Sequence, residues 1–266
     1  MIEIPLGLRT ALESGDCVLF IGAGIGKHLF DNAGNTCPDG PSLAKELADH
    51  FSIDTSGIYD LSKISRIIEI RKGRPELIAF IHKRLANCTP DKKFQWLCTI
   101  RWKAIYTTNY DNGIQRAYEM VSEPPQNPVT LTVTSDLVSY SPHFEVPVYH
   151  LHGTLFSANE PNIIVTEDDY ARFRERRRML FELLKKDFAT SPVLYIGYSN
   201  RDPNWNIVLA EISSELTWYS NCGHREKRDK INQLLEVIHD NNEEEVYPRV
   251  QDGGGSSDNR TGVQND

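Results

Sequence analysis

The chain has 266 residues, a formal net charge of −8 and 39% apolar residues. That length suits one large α/β domain or one domain carrying an inserted module. The acidic balance argues against a chain-wide nucleic-acid binder, which would be basic, so nucleic acid is expected only as an indirect partner. The N-terminus lacks the basic, apolar, small-residue order of a signal peptide. No apolar run reaches the length of a membrane span, and a cytoplasmic protein is expected. The five cysteines are Cys17, Cys37, Cys88, Cys98 and Cys222. None sits in a C-x-x-C pair, so the spacing gives no zinc ribbon and no metal site. They read as reduced thiols, mostly packing residues.

The first element signal is "CVLFIGAGIG", 17–26. Val18 to Ile21 reads as a buried strand that empties at Gly22 into a turn with glycines at alternate positions. A helix follows from Pro41, with Leu43, Leu47 and Phe51 at helical spacing. A second carries Leu61, Ile64, Ile67 and Ile68. A third starts near Pro75 with Leu77, Ile78, Ile81 and Leu85, and a short one covers 94–97. The next strand signal is "KAIYTTNYD", 103–111. The mostly helical stretch before it exceeds what a single crossover needs, and reads as a helical module inserted at about 41–98.

Beyond it, "NGIQRAYEMV" reads as helix, and "LTVTS" (131–135) and "VPVYHLHG" (146–153) as extended. "NIIVT" reads as a strand leading into one long helix, N-capped by Thr166 and striped by Tyr170, Phe173, Leu180, Leu184 and Phe188. "PVLYIGYS" is a further buried strand ending in a glycine turn, and a helix follows from Pro203. A helix is expected at 230–238. From Asn241 the chain turns acidic and then Gly/Ser-rich, as a flexible tail or linker over 241–266. The domain proper is expected to cover 1–240. Strands alternating with helices predict an α/β fold: a Rossmann-like, mostly parallel, doubly wound sheet with an inserted helical subdomain.

In such sheets ligands bind at the carboxyl ends of the strands. The polar and glycine-rich stretches 22–26, 107–111, 152–153 and 197–202 all fall there. Gly22 and Gly24 could admit phosphates to the backbone, or could serve a tight strand-to-helix turn without ligand. A dehydrogenase would place an acidic residue after a second strand about 20 residues on. Here that region reads as helix, with Glu46 on it, so a redox role fits poorly. Asn109 can orient a water or a ribose hydroxyl and Asp111 can bind hydroxyl or cationic groups. Alternatively, both cap the next helix. His150 and His152 share one strand face. His152 can act as a general base, the pair could hold a metal, or each is a hydrogen-bonded, half-buried ring. Ser199 and Asp202 could touch ribose or phosphate, or cap a helix. The arginine-rich run from Arg172 to Lys186 is a solvated helix face or a docking surface.

The ordered set "GAGIG", "TTNYD", "HLHG" and "GYSNRD" resembles the SIR2 (sirtuin) superfamily over roughly residues 15–215, and more narrowly the SIR2-like domains of bacterial anti-phage systems. The resemblance implies NAD+ as substrate, Asn109 and His152 as catalytic pair, and Asp111 as the motif aspartate beside them. It further implies contacts to the dinucleotide from Gly22, Ala23, Gly24, Ile25, Asp39, Thr107, Gly197, Ser199 and Asp202. Deacylase sirtuins carry a zinc ribbon and P-D-F-R after the glycine loop. This chain has no C-x-x-C, and Pro38 and Asp39 are followed by Gly40 and Pro41. The implied activity is therefore hydrolysis of NAD+ to nicotinamide and ADP-ribose, held silent until oligomerisation or a defence partner releases it. The alternatives are deacylation or ADP-ribosyl transfer, a non-catalytic NAD or ADP-ribose sensor, and an interaction module.

Overall fold

A computed structural model describes residues 5–55, 57, 59–132, 141, 143–156, 162–198, 210–211 and 214. Met1–Leu216 form one compact unit and Thr217–Asp266 another. The helix expected at 230–238 and the tail from 241 lie outside the described residues, as does nearly all of the helix expected from Pro203.

In chain order the elements are α1 (Leu6–Ser14), β1 (Val18–Ile21), a 3-10 turn (Ala23–His28), β2 (Leu29–Phe30), α2 (Gly40–Phe51), α3 (Leu61–Lys72), α4 (Arg74–Leu85), β3 (Thr89–Pro90) and α5 (Lys92–Leu97). Then come β4 (Ala104–Thr107), α6 (Gly113–Glu119), β5 (Asn127–Leu131), β6 (Glu145–His150), α7 (Glu167–Ala171), α8 (Phe173–Arg176), α9 (Arg178–Thr190) and β7 (Val193–Ile196). Five strands form one sheet in the order β5-β6-β4-β1-β7, and every neighbouring pair is parallel. This is the doubly wound α/β sheet that the alternating pattern predicts.

β1 and β4 are apolar without alternation because both of their faces are covered, and all four residues of each are buried. Leu19, Ile21, Ile105, Val146 and Val148 point to one face, where α2 to α6 pack. Val18, Phe20, Ala104, Tyr106 and Tyr149 point to the other, against Leu180, Phe181, Leu184 and Phe188 of α9. Burying one such side chain stabilises the fold by roughly 1.5–3 kcal/mol. The edge strand β7 is only half-buried.

Between β1 and β4 lie the helices expected at 41–98. Carboxylates cap three of them: Asp39 accepts from Ser42 N (3.0 Å), Asp60 from Lys63 N (3.1 Å) and Asp91 from Phe94 N (2.9 Å). Each satisfies a backbone donor that the helix itself leaves unpaired. β2 and β3 pair antiparallel, Leu29 with Pro90 and Phe30 with Thr89, and tie the two ends of this stretch together.

Three expectations need correction. In "NIIVT", Ile163 to Thr166 are buried but join no ladder among the described residues, and Ile164 instead donates to His152 O at 2.8 Å. The strand expected over 131–135 lies mostly outside the described residues, which pause after Thr132, and β5 covers Asn127–Leu131. The single long helix is three, interrupted at Arg172 and Arg177. The Arg177 side chain turns inward and donates to Thr132 O (2.7 Å) and Asn162 O (2.6 Å), so it is buried and not on a solvated face. Finally, Cys37 and Cys88 form a disulfide with Cα atoms 6.4 Å apart. The β2–β3 pair and the bond from Cys37 N to Leu29 O bring them together, which no local spacing reveals. Cys17 and Cys98 are buried thiols, both pushed up to about 12 by burial. Cys222 lies outside the described residues.

Candidate functional site

The register places the strand ends level. Ile21 pairs with Thr107 and Ile196, and Thr107 pairs with His150. The turns beginning at Gly22, Thr108, Leu151 and Gly197 therefore leave one sheet edge side by side. The chain builds β4, β5 and β6 on one side of β1 and then crosses to β7 on the other. That reversal is where open α/β sheets form a ligand crevice.

On the β1/β7 side the constraint is backbone against backbone. Gly24 N donates to Gly197 O at 2.7 Å, and Gly22 N to Ile196 O at 2.9 Å. A Cβ on Gly22 or Gly24 would stand 2.6 or 2.8 Å from Gly197 O. Gly197 itself has φ +67°, and its Cβ would lie 2.3 Å from Ile25 N. All three glycines are thus required by the contact between the two turns, whatever ligand lies beyond. Ala23 is exposed, while the Ile25 side chain is buried in the core. Asp39 is exposed and caps α2. Ser199 and Asp202 lie outside the described residues.

On the β4/β6 side the constraint comes from side chains. The Thr107 hydroxyl turns inward and accepts from Asn109 N at 3.0 Å. Asn109 Nδ2 donates to Gly22 O at 3.3 Å, joining the two sides. That carbonyl can only accept, which fixes which way round the carboxamide lies. The other carboxamide atom, Oδ1, is buried without a hydrogen-bond partner among the described residues. Such an atom is costly unless something donates to it.

His152 is buried at 4% exposure. Its ring is walled by Tyr170 (centroids 5.3 Å apart), Phe173 (4.9 Å) and Tyr110 (6.4 Å). The following Gly153 has φ +78°, and a Cβ there would sit 2.2 Å from Asn162 O. Only glycine fits that turn.

The 162–166 segment closes over the His152 backbone and is held from three directions. Tyr110 Oη donates to Ile164 O at 2.7 Å, and Arg74 Nη2 to Ile163 O at 2.7 Å. The third is the Thr166–Asp169 capping box that starts α7. Asp169 also pairs with Arg74 at 2.9 Å. Burial pushes the Asp169 carboxyl up, but the N–H groups of Thr166 and Val165 and the Arg74 guanidinium outweigh it and hold it below the usual range.

Asp111 is engaged by the backbone that follows it. Its Oδ1 accepts from Gly113 N at 2.8 Å, in the manner of a helix-starting turn. Burial raises its carboxyl against that N–H. His150 is fully buried and bonded to Asn109 and Gln115. Among the described residues no three His, Cys, Asp or Glu side chains converge to hold a metal. No helix among them is long and apolar enough to cross a membrane. In the arginine-rich run, Arg174 and Lys185 pair with Glu211, and Arg176 with Asp169.

Sequence reasoning missed Tyr110, Tyr170, Phe173 and Gln115 as site residues. Tyr110 lies inside "TTNYD" itself. The partners of the others lie far off in sequence, so no local pattern marks them.

A parallel α/β sheet whose polar and glycine turns meet at one carboxyl edge defines a Rossmann-like nucleotide-type fold. Residues 103–220 match the SIR2-like domain family. That match begins at β4 and takes in Asn109, His152 and the last glycine turn. The chain is also similar to three relatives named NAD(+) hydrolase ThsA. It is 27% identical over 203 residues to that of Cytobacillus dafuensis, covering 76% of this chain and 39% of the relative. For that of Enterococcus faecium the identity is 25% over 206 residues, 76% of this chain and 41% of the relative. For that of Bacillus cereus (strain MSX-D12) it is 29% over 177 residues, 65% and 36%. The chain thus spans about two fifths of the length of the curated relatives it matches.

Proposed function

We propose that this chain hydrolyses NAD+ at the nicotinamide–ribose bond, giving nicotinamide and ADP-ribose. The observation that carries the reading is the buried Asn109 Oδ1, without a hydrogen-bond partner among the described residues, at the strand edge that also bears His152. The relatives' name, NAD(+) hydrolase, supports it.

The chemistry follows from the residues. As the C–N bond breaks, nicotinamide leaves neutral and the ribose carbon gains positive charge. A carboxamide oxygen can accept from a ribose hydroxyl or from the attacking water, and presents the negative end of its dipole to that charge. His152 takes the proton of the water as its oxygen bonds to the ribose carbon. Tyr170 and Phe173 beside the ring keep other water away. Binding of the adenosine and phosphate portions along the glycine turns would supply the energy to bend the dinucleotide. Consumption of NAD+ as a substrate in anti-phage defence, with assembly or a partner as trigger, is the biological role in this reading.

The test is mass spectrometry of NAD+ incubated with purified protein across protein concentrations, with and without an acyl-lysine peptide. Nicotinamide and ADP-ribose are expected in equal amounts, unaffected by the peptide. A turnover per chain that rises with concentration is expected if assembly is the trigger. Asn109→Ala and His152→Ala should each lower turnover by about 10²–10⁴-fold. Full activity in either variant overturns the mechanism. Tight NAD+ binding without nicotinamide release makes the chain a sensor instead.

A further inference from the structure

Asn109 has four polar groups, and the protein engages three of them. Its N–H donates to Thr107 Oγ1, its Nδ2 to Gly22 O, and its backbone carbonyl faces His150 Nδ1 at 3.2 Å. His150 is buried at 1% exposure, on the last residue of β6. Its other nitrogen, Nε2, lies 3.1 Å from Gln115 Nε2, which also donates to Thr130 Oγ1 at 2.8 Å. A relay therefore runs from β5 through α6 and β6 to the turn after β4.

The proton positions in the relay follow from its one unambiguous member. The Asn109 carbonyl can only accept, so His150 Nδ1 carries the hydrogen. A neutral imidazole then has a bare Nε2, which must accept, and Gln115 presents an N–H to it. Burial pushes the imidazole down to about 4, against the bond to Asn109, so the ring is neutral near pH 7. The two histidines of "HLHG" thus differ in kind. His152 is boxed by aromatic rings, while His150 is locked in one tautomer beneath Asn109.

We infer that His150 is a positioning residue for Asn109: its Nδ1–H, locked by Gln115, holds the Asn109 carbonyl and so aims the free carboxamide oxygen into the crevice. This rests on the hydrolase reading above. With the N–H, the carbonyl and Nδ2 all fixed, the carboxamide has one orientation, and Oδ1 is the polar atom of Asn109 that no described residue engages. Without His150 the carbonyl becomes a buried acceptor with no donor, and the turn is free to shift to find one. A misplacement of about 1 Å at a reacting group can cost about 10²-fold in rate.

The two amide side chains separate positioning from general packing. In His150→Asn the amide nitrogen falls where Nδ1 stood and can still donate to Asn109 O. In His150→Gln it falls near Nε2 and cannot. The expected result is a kcat lowered about 10–100-fold in the Gln variant, with KM within about twofold, and a kcat restored to within about threefold in the Asn variant. Both should melt below the wild type by similar amounts. Equal kcat in the two variants overturns the inference. If either fails to fold, Gln115→Leu leaves His150 in place and removes the lock together with the bond to Thr130 Oγ1, with the same fall in kcat expected. ¹⁵N spectra of the wild-type imidazoles, assigned against His150→Leu, should show His150 as the neutral Nδ1–H form at pH 7. An Nε2–H form overturns the inference even in an active enzyme. A wild type that releases no nicotinamide overturns the hydrolase reading, and the tautomer, measured without substrate, still decides whether the lock exists.

Discussion

The two sides of the strand edge are built by different means. At β1/β7, two glycine turns interlock through their backbones, with Gly24 N on Gly197 O and no room for a Cβ at Gly22, Gly24 or Gly197. At β4/β6, side chains set the geometry: Thr107 under Asn109, His150 against its carbonyl, Tyr110 across to the segment over His152. The first side is a shape and the second a set of chemical groups. A glycine pattern can therefore be required by packing even where it also borders a ligand crevice.

That contrast can be broken by asking which measurement responds to a change on each side. Gly197→Ala should give the largest loss of stability, roughly 2–4 kcal/mol, because it combines a positive φ with a Cβ 2.3 Å from Ile25 N. Chemical denaturation would show it as a lower midpoint. A variant as stable as the wild type would mean that the turns are not interlocked. On the other side, Tyr110→Phe removes one hydroxyl and keeps the ring, leaving Ile164 O without its donor. The expected destabilisation is about 1–2 kcal/mol, with a larger proportional fall in NAD+ turnover than in melting temperature. Equal wild-type turnover would deny the tether any part in the site.

The third effect expected is pH-dependent. The buried His150 titrates near 4, below its ordinary 6.5. The unfolded chain therefore binds more protons than the folded one between those values, and stability rises with pH across that window. The contribution is complete above pH 6.5 and is lost as pH falls towards 4. Asp111, raised by burial, has the opposite sign above its ordinary 3.8. The comparison is thus made between wild type and His150→Leu, melted at intervals from pH 7 to 4.5. The variant should lose less on acidification, and parallel curves would deny His150 its buried, neutral state.

How much of this was legible in the sequence depends on where partners lie along the chain. β1, β4 and β6 are legible because burial on both faces leaves continuous apolar runs. β5, a half-buried edge strand bearing Pro128, gives a weaker signal. "NIIVT" has a strand's composition, but its backbone groups bond to His152, Tyr110 and Arg74 instead of a neighbouring strand. The long helical stripe at 166–188 gives no sign that Arg177 turns inward to two carbonyls distant in sequence. The order of the four polar turns correctly places them at one edge, since parallel strands of similar length end level. The lock on His150 and the wall around His152 are assembled from α6, β5, α7 and α8, and no single stretch carries them.

The link between Cys37 and Cys88 has a consequence for the connectivity of the molecule. It closes a loop over 51 positions containing α2, α3 and α4. In the chain-entropy account, a loop of that size destabilises the unfolded chain by about 4 kcal/mol. It also makes this stretch a ring in the covalent sense. A protease that cuts once anywhere between the two cysteines leaves a single piece of unchanged mass on a non-reducing gel, and two fragments appear only after a thiol is added.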